Sequence, residues 1–227
     1  MTQVFALESF LGIKKRLDMK NLLFLLFVIL SNIVDAQNMG LKVVYQQEKK
    51  IAYIRGLALP REAMVSLIRS AKEEKDKFAL EIQDSMSYYY PISGNVFTQN
   101  FKNYKKKQSY TILDSDVDQE EPYAAKTDFE VYKWVVDKLK VQTILGYKCF
   151  RAESKKGVVA WFAPELKYPD GPINFGGLGG VILKVETKST IITAVEITTG
   201  MHIGFRVPQK FQIISFGKLQ QRRALNH

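Results

Sequence analysis

Thr143–Ala152, TILGYKCFRA, and Val158–Phe162, VVAWF, are two runs rich in β-branched and aromatic residues on either side of Glu153-Ser154-Lys155-Lys156-Gly157. Such runs pack well on a pleated surface. The polar segment ends in a glycine, which tolerates positive φ, so the stretch reads as a β-hairpin. Upstream, from Asp128, period-two alternation sets Phe129, Val131, Lys133 and Val135 on one face and Glu130, Tyr132, Trp134 and Val136 on the other. Downstream, Pro164, Pro169, Pro172 and Gly171 make Ala163–Asn174 a constrained loop. Val181–Glu186, a turn at Thr187–Ser189, and Ile191–Thr198 form a second hairpin.

The first half is less regular. Leu41–Gln46 reads as a strand, and Leu57–Pro60 turns the chain. Arg61–Lys77 has Met64, Leu67, Ile68 and Ala71 at helical spacing. Phe78, Leu80 and Ile82 then alternate with Ala79, Glu81 and Gln83 as a half-buried strand, which Ser85–Tyr90 extends toward Pro91. Residues 91–128 hold Gly94, Asn95, a basic run at Lys105–Lys107 and an acidic run from Asp114 to Glu121. They read as an excursion between strands, with a short strand at Tyr110 and Ile112. Ile213 and Phe216 mark a short C-terminal element, and Gln220–His227 reads as a fraying tail. The expected fold is mostly β (α+β): a curved antiparallel sheet or partial barrel with at least one covering helix, forming a single domain over 37–227.

Residues before Gln37 read as export machinery. Met19-Lys20-Asn21 opens a second start, Leu22–Leu30 is an unbroken apolar run, and Val34-Asp35-Ala36 supplies small or modest residues before a cut between Ala36 and Gln37. Residues 1–18 then read as an overlong gene start. The apolar core is shorter than the ~20 residues that span a bilayer, so an uncleaved anchor is the weaker reading. The implied destination is the periplasm or outer envelope, without integral membrane insertion after processing.

The chain carries 33 Lys and Arg against 23 Asp and Glu. An exported cation meets anionic head groups, glycans or acidic partners. Lys102, Lys105, Lys106 and Lys107, interleaved with Phe101, Tyr104 and Tyr110, form a candidate anionic contact; the export signal argues against nucleic acid as its target. One Cys excludes an internal disulfide, and one Cys with two His leaves little for zinc.

Asp170–Glu186, DGPINFGGLGGVILKVE, is the densest unusual stretch. Its glycines lack the Lys and hydroxyl of a phosphate loop, and a strand pattern follows where a nucleotide site needs a helix. Close backbone approach at the glycines, with Leu178 as an apolar plug, is the structural reading. The region resembles the GLPGLI family of exported, uncharacterised proteins of Bacteroidetes-type bacteria. Gly177-Leu178-Gly179-Gly180-Val181-Ile182 stands at the naming motif, with Gly179 in place of the family proline and Val181 in place of a leucine. Gly146-Tyr147-Lys148-Cys149 in a strand, Trp161 before Pro164, Gly171-Pro172 before Phe175, and Ser87 with Tyr89 agree with the family pattern. The close match spans about residues 129–186. The resemblance implies a β-rich envelope protein and carries no activity.

No catalytic, cofactor-binding or metal-ligating set emerges. His202 reads as surface or half-buried, and Cys149 as a buried inert thiol. Three functions remain open. The first is a non-enzymatic envelope protein that binds or carries an apolar or lipid-like component, lined by Tyr89, Trp134, Trp161, Phe175 and Leu178. The second is a structural or assembly partner without a small ligand. The third is a hydrolase using Glu165 and Asp170, which requires two carboxyls facing one another across a polar cleft.

Overall fold

The structure is a computed structural model that describes residues 39–73, 75–93, 98–113, 122–127, 132–205, 207 and 210–225, all within one compact unit, Met39–His227. The proposed gene extension, signal and cut site, the Gly94-Asn95 turn, the acidic run Asp114–Glu121, Asp128–Val131 and His227 lie outside them.

In chain order the elements are β1 (Gly40–Lys49), α1 (Ile51–Arg55), α2 (Arg61–Glu73), β2 (Asp76–Gln83), β3 (Met86–Ser93), β4 (Thr98–Asn103), β5 (Gln108–Leu113), β6 (Tyr123–Thr127), β7 (Trp134–Ile144), β8 (Tyr147–Ser154), β9 (Val159–Ala163), β10 (Val181–Glu186), β11 (Thr190–Met201), β12 (Gln212–Ile213) and α3 (Phe216–Leu225). The strands form one open, curled sheet of twelve strands in the order β12-β6-β5-β4-β3-β2-β1-β11-β10-β9-β8-β7. Two meanders, β1–β6 and β7–β11, therefore meet at a single seam. There β1 pairs antiparallel with β11 from Leu41↔Thr199 to Lys49↔Thr190. Every pairing is antiparallel except the short parallel contact of β12 with β6.

Period-two burial builds the core. Leu41, Val43 and Tyr45 of β1 share a face with Phe78, Leu80 and Ile82 of β2, Tyr89 of β3, Ile192 and Ala194 of β11, and Val181 and Leu183 of β10. A second cluster gathers Ala152, Ala160, Phe162, Ile182 and Val185 beneath Phe175 and Leu178. The neighbours Cys149 and Phe150, and likewise Trp161 and Phe162, pack on different clusters, as alternation along a strand requires.

Four expectations change. Residues 91–128 are largely sheet: β3 runs to Ser93, and β4, β5 and β6 follow. Asn100, Lys102, Ser109 and Thr111 are among the buried side chains there, so the strands carry no clear apolar alternation to announce them. The expected continuous strand Thr143–Ala152 is broken by a turn at Leu145 (φ 50°) and Gly146 (φ 84°), the two positive φ values of a tight hairpin turn; Gly146 is thus a turn residue, and the strand begins at Tyr147. Helix α2 stops at Glu73 and fully buries no side chain; Met64, Ile68 and Ala71 are half-buried and Leu67 is exposed, so it is not a clear cover for the sheet. The polar tail from Gln220 continues α3, whose Leu219 is buried beside Leu113 and Ala125.

The glycine cluster divides by mechanism. A Cβ on Gly180 would sit 2.1 Å from the Ala163 carbonyl oxygen, and one on Gly171 would sit 2.7 Å from Ile182 Cβ. At Gly177 the space is open, but φ is +84°; at Gly179 the space is open and φ is ordinary. Close approach therefore holds at Gly180 and Gly171, backbone conformation alone at Gly177, and neither at Gly179. Substitution by alanine should cost about 3 kcal/mol at Gly180, about 1–2 kcal/mol at Gly177, and within about 0.5 kcal/mol of nothing at Gly179. Thermal melts of the three variants check the order; equal losses at Gly179 and Gly180 would remove the packing explanation.

Candidate functional site

Along the inward face, the apolar pattern of β1 and β2 gives way to polar residues on β3–β5. Ser87 pairs in register with Lys102, Lys102 with Ser109, and Asn100 with Thr111. All of them are buried. A lysine cannot stay charged in such a place without a partner. Lys102 Nζ donates to Asp170 Oδ1 at 2.5 Å, and the same oxygen accepts the Gly171 backbone N–H at 2.8 Å. The side chains of Lys102 and Asp170 are 5% and 0% exposed, so water screens little of the attraction.

Asp170 belongs to the β9–β10 loop. That loop is tied down by its own bonds: Gly177 N–H donates to Pro169 O, and Ile182 N–H donates to Asp170 O. Leu166 and Ile173 pack on the main core, and the Tyr168 hydroxyl donates to Met39 O. The loop therefore crosses the sheet face to reach β4. Tyr104, just after β4, has its hydroxyl held protonated by burial and then by the negative charge of Asp170. Tyr45 is fully buried and donates to Ile182 O at 2.7 Å; its ionisation is pushed well up by burial first and Asp170 second. Two phenols and one ammonium thus lie near a single buried carboxylate.

This geometry bears on two readings. Lys102 is an interior cation and cannot belong to an anionic surface contact; only Lys105, Lys106 and Lys107 project from the exposed β4–β5 turn. Glu165 lies in solvent while Asp170 lies in the interior, so the two do not converge as a hydrolase would need. His202 is exposed, its Nδ1 3.4 Å from Gln83 Nε2.

The five proposed lining side chains divide between the two clusters. Tyr89 and Trp161 pack on the main core, Tyr89 stacked on Phe78 at 5.2 Å between ring centres. Trp134, Phe175 and Leu178 pack on the second cluster, where Trp134 Nε1 donates to Gly176 O at 2.9 Å. Tyr132 bridges Trp134 and Phe175 with ring centres at 5.2 and 5.1 Å. Leu178 and Phe175 seal the core of the loop. Of the other motif residues, Tyr147 packs at the main core, Pro164 is exposed, and Pro172 O accepts the Phe175 N–H. Cys149 is fully buried, and burial pushes its thiol up to about 11.

Apolar surface is instead presented at the end of the sheet. Strand β7 has β8 as its one partner strand among the described residues. Val135 is 69% exposed and Leu139 95%; Val136, Val141 and Leu145 are exposed as well. The register jumps from Asp137↔Arg151 to Val141↔Phe150, so Lys138, Leu139 and Lys140 bulge out of the ladder. The Asp137 carboxylate steadies the bulge by accepting the Leu139 N–H at 3.0 Å. The alternation read from Asp128 overlaps β7 only at Trp134–Val136; Tyr132 and Lys133 precede the strand, and its run to Ile144, its bulge and its edge position were not legible.

No family model and no curated protein matches the chain. Among solved structures it is similar to PNGF-II in two crystal forms. The C2 form matches with a TM-score of 0.61 and 12% identity over 83% of this chain, and the P21 form with 0.60 and 12% over 83%. An uncharacterized conserved protein from Thermus thermophilus aligns at a TM-score of 0.43 and 8% identity over 84% of this chain and 98% of its own. The chain spans about a third of PNGF-II, 33% and 34% in the two forms, and the likeness is one of fold.

Lys102→Met should destabilise the protein by about 3–5 kcal/mol by stranding the Asp170 charge. Adding Asp170→Asn should recover much of that loss, since the amide oxygen still accepts from Gly171. A urea double-mutant cycle reads the coupling, and single losses under about 1 kcal/mol would mean the pair is hydrated. For Cys149, the folded thiol keeps its proton up to about 11 whereas an unfolded one releases it near 9.0. Stability contributed by this group is thus full below about pH 9 and falls as pH rises to 11. Alkylation at about pH 8 should be about a hundredfold slower in the native state than in urea; comparable rates would place the thiol in solvent.

Proposed function

We propose that this chain is an exported, non-enzymatic binding module of the GLPGLI type that works through contact with another envelope component rather than by carrying a small ligand. The exposed apolar edge at β7 is the observation that carries this reading: solvent-facing side chains such as Leu139 and Val135 lower the free energy of a complex that covers them. The interior supports it from the other side. Candidate lining residues are spent on closing two separate clusters, and Lys102 and Asp170 neutralise each other. A carrier of an apolar component would need those five side chains around a single space.

The GLPGLI resemblance, the signal at Leu22–Leu30 and the cut after Ala36 supply the envelope address. Among the described residues no helix is long and apolar enough to cross a membrane, which accords with attachment by contact. The likeness to part of PNGF-II concerns fold, and the hydrolase reading gains nothing from Glu165 and Asp170.

Protein recovered from the envelope fraction should begin at Gln37, crosslink to a partner protein, and release no stoichiometric lipid on extraction. Mass spectrometry reads all three. A lipid recovered at one per chain would restore the carrier reading, and a cytosolic protein starting before Leu22 would remove the envelope address.

A further inference from the structure

We propose that the β7 edge takes up an extended, acidic segment of another protein as an added strand. The inference rests on the binding-module reading and names its partner class. Two observations select this occupant. The first is the backbone: an edge strand presents unpaired N–H and C=O groups, which a bilayer interior cannot satisfy and a peptide strand can. The second is charge. Between Lys133 and Lys156 the sequence holds seven Lys or Arg against two Asp or Glu. Both acids are already engaged, Asp137 with Lys140 at 3.8 Å and Glu153 with Arg151 at 2.8 Å. A second copy of β7 laid along the first would oppose lysine to lysine, whereas an acidic strand is attracted.

The bulge sets the form of the complex. Pairing is available at Trp134–Asp137 and at Val141–Ile144, with Lys138-Leu139-Lys140 between them. Leu139, at 95% exposure, is the knob that enters an apolar hollow on the partner, and the two flanking lysines face its carboxylates. The same bulge bars a long uninterrupted ladder, so the edge resists pairing with arbitrary strands.

The test uses the full chain and a pool of decapeptides that alternate β-branched residues with randomised positions, in bound and free fractions sequenced by mass spectrometry. The expected result is enrichment of acidic peptides, with amide-exchange protection confined to Trp134–Asp137 and Val141–Ile144. Backbone N-methylation of the enriched peptide, Leu139→Asp, or Lys138→Glu with Lys140→Glu should each weaken binding at least tenfold, while thermal melts of the variants stay unchanged. Charge-neutral enrichment, indifference to N-methylation, or no enrichment overturns the proposal. So does equal Leu139-dependent binding to phosphatidylglycerol vesicles, which would make the edge a membrane contact, or a concentration-dependent dimer lost in Leu139→Asp. If Leu139→Asp leaves envelope crosslinks intact, the edge assignment fails and the binding-module reading stands on another surface.

Discussion

The Lys102–Asp170 pair joins parts of the molecule that the sheet itself keeps apart. From β4 to β10 there are five strand steps, roughly 24 Å along a flat sheet. A contact of 2.5 Å across that interval requires the β9–β10 loop to lie over the sheet face and the sheet to curl toward it. Much else follows from this arrangement. Asp170 must be fully buried, so its Oδ1 is shared between an ammonium and the Gly171 N–H. Gly171 must lack a side chain because Ile182 stands against it. Tyr45 and Tyr104 must remain neutral phenols beside the carboxylate.

A buried ion pair contributes little net stability compared with an apolar pair of the same shape, because both charges lose their water. Its effect is on register. Each alternative placement of the loop, or a one-residue slip of β4, would leave a charge in the interior without its counter-charge. The polar inner face of β3–β5 tolerates many strand alignments, since Ser87, Asn100, Ser109 and Thr111 exchange easily as neighbours. Lys102 and Asp170 select one.

The same chemistry explains what the sequence could and could not disclose. The hairpins from β8 to β11 were legible because their strands are rich in β-branched and aromatic residues, which pack into clusters on both faces, and Gly157 marks a turn at φ +74°. Strand β4, TQNFKN, was illegible because Asn100 and Lys102, residue types that ordinarily mark surface, are buried in it. The pairing of Lys102 with Asp170 spans 68 residues, and no local pattern encodes it. Leu178 as a plug was readable from its glycine frame, while the division of labour among Gly177, Gly179 and Gly180 depends on the position of the Ala163 carbonyl, which only the fold defines. The edge at β7 was hidden for a related reason: alternation shows that a strand exists but not whether it has one neighbour or two.

The seam between β1 and β11 has a kinetic consequence. The opening strand of the described body finds this partner only at Thr190–Met201, so the two meanders cannot be stitched together while the ribosome is still making the second. Loop closure over such a separation is slow, and until it happens β1 keeps a bare flank. A polypeptide built this way remains threadable for most of its synthesis and locks late.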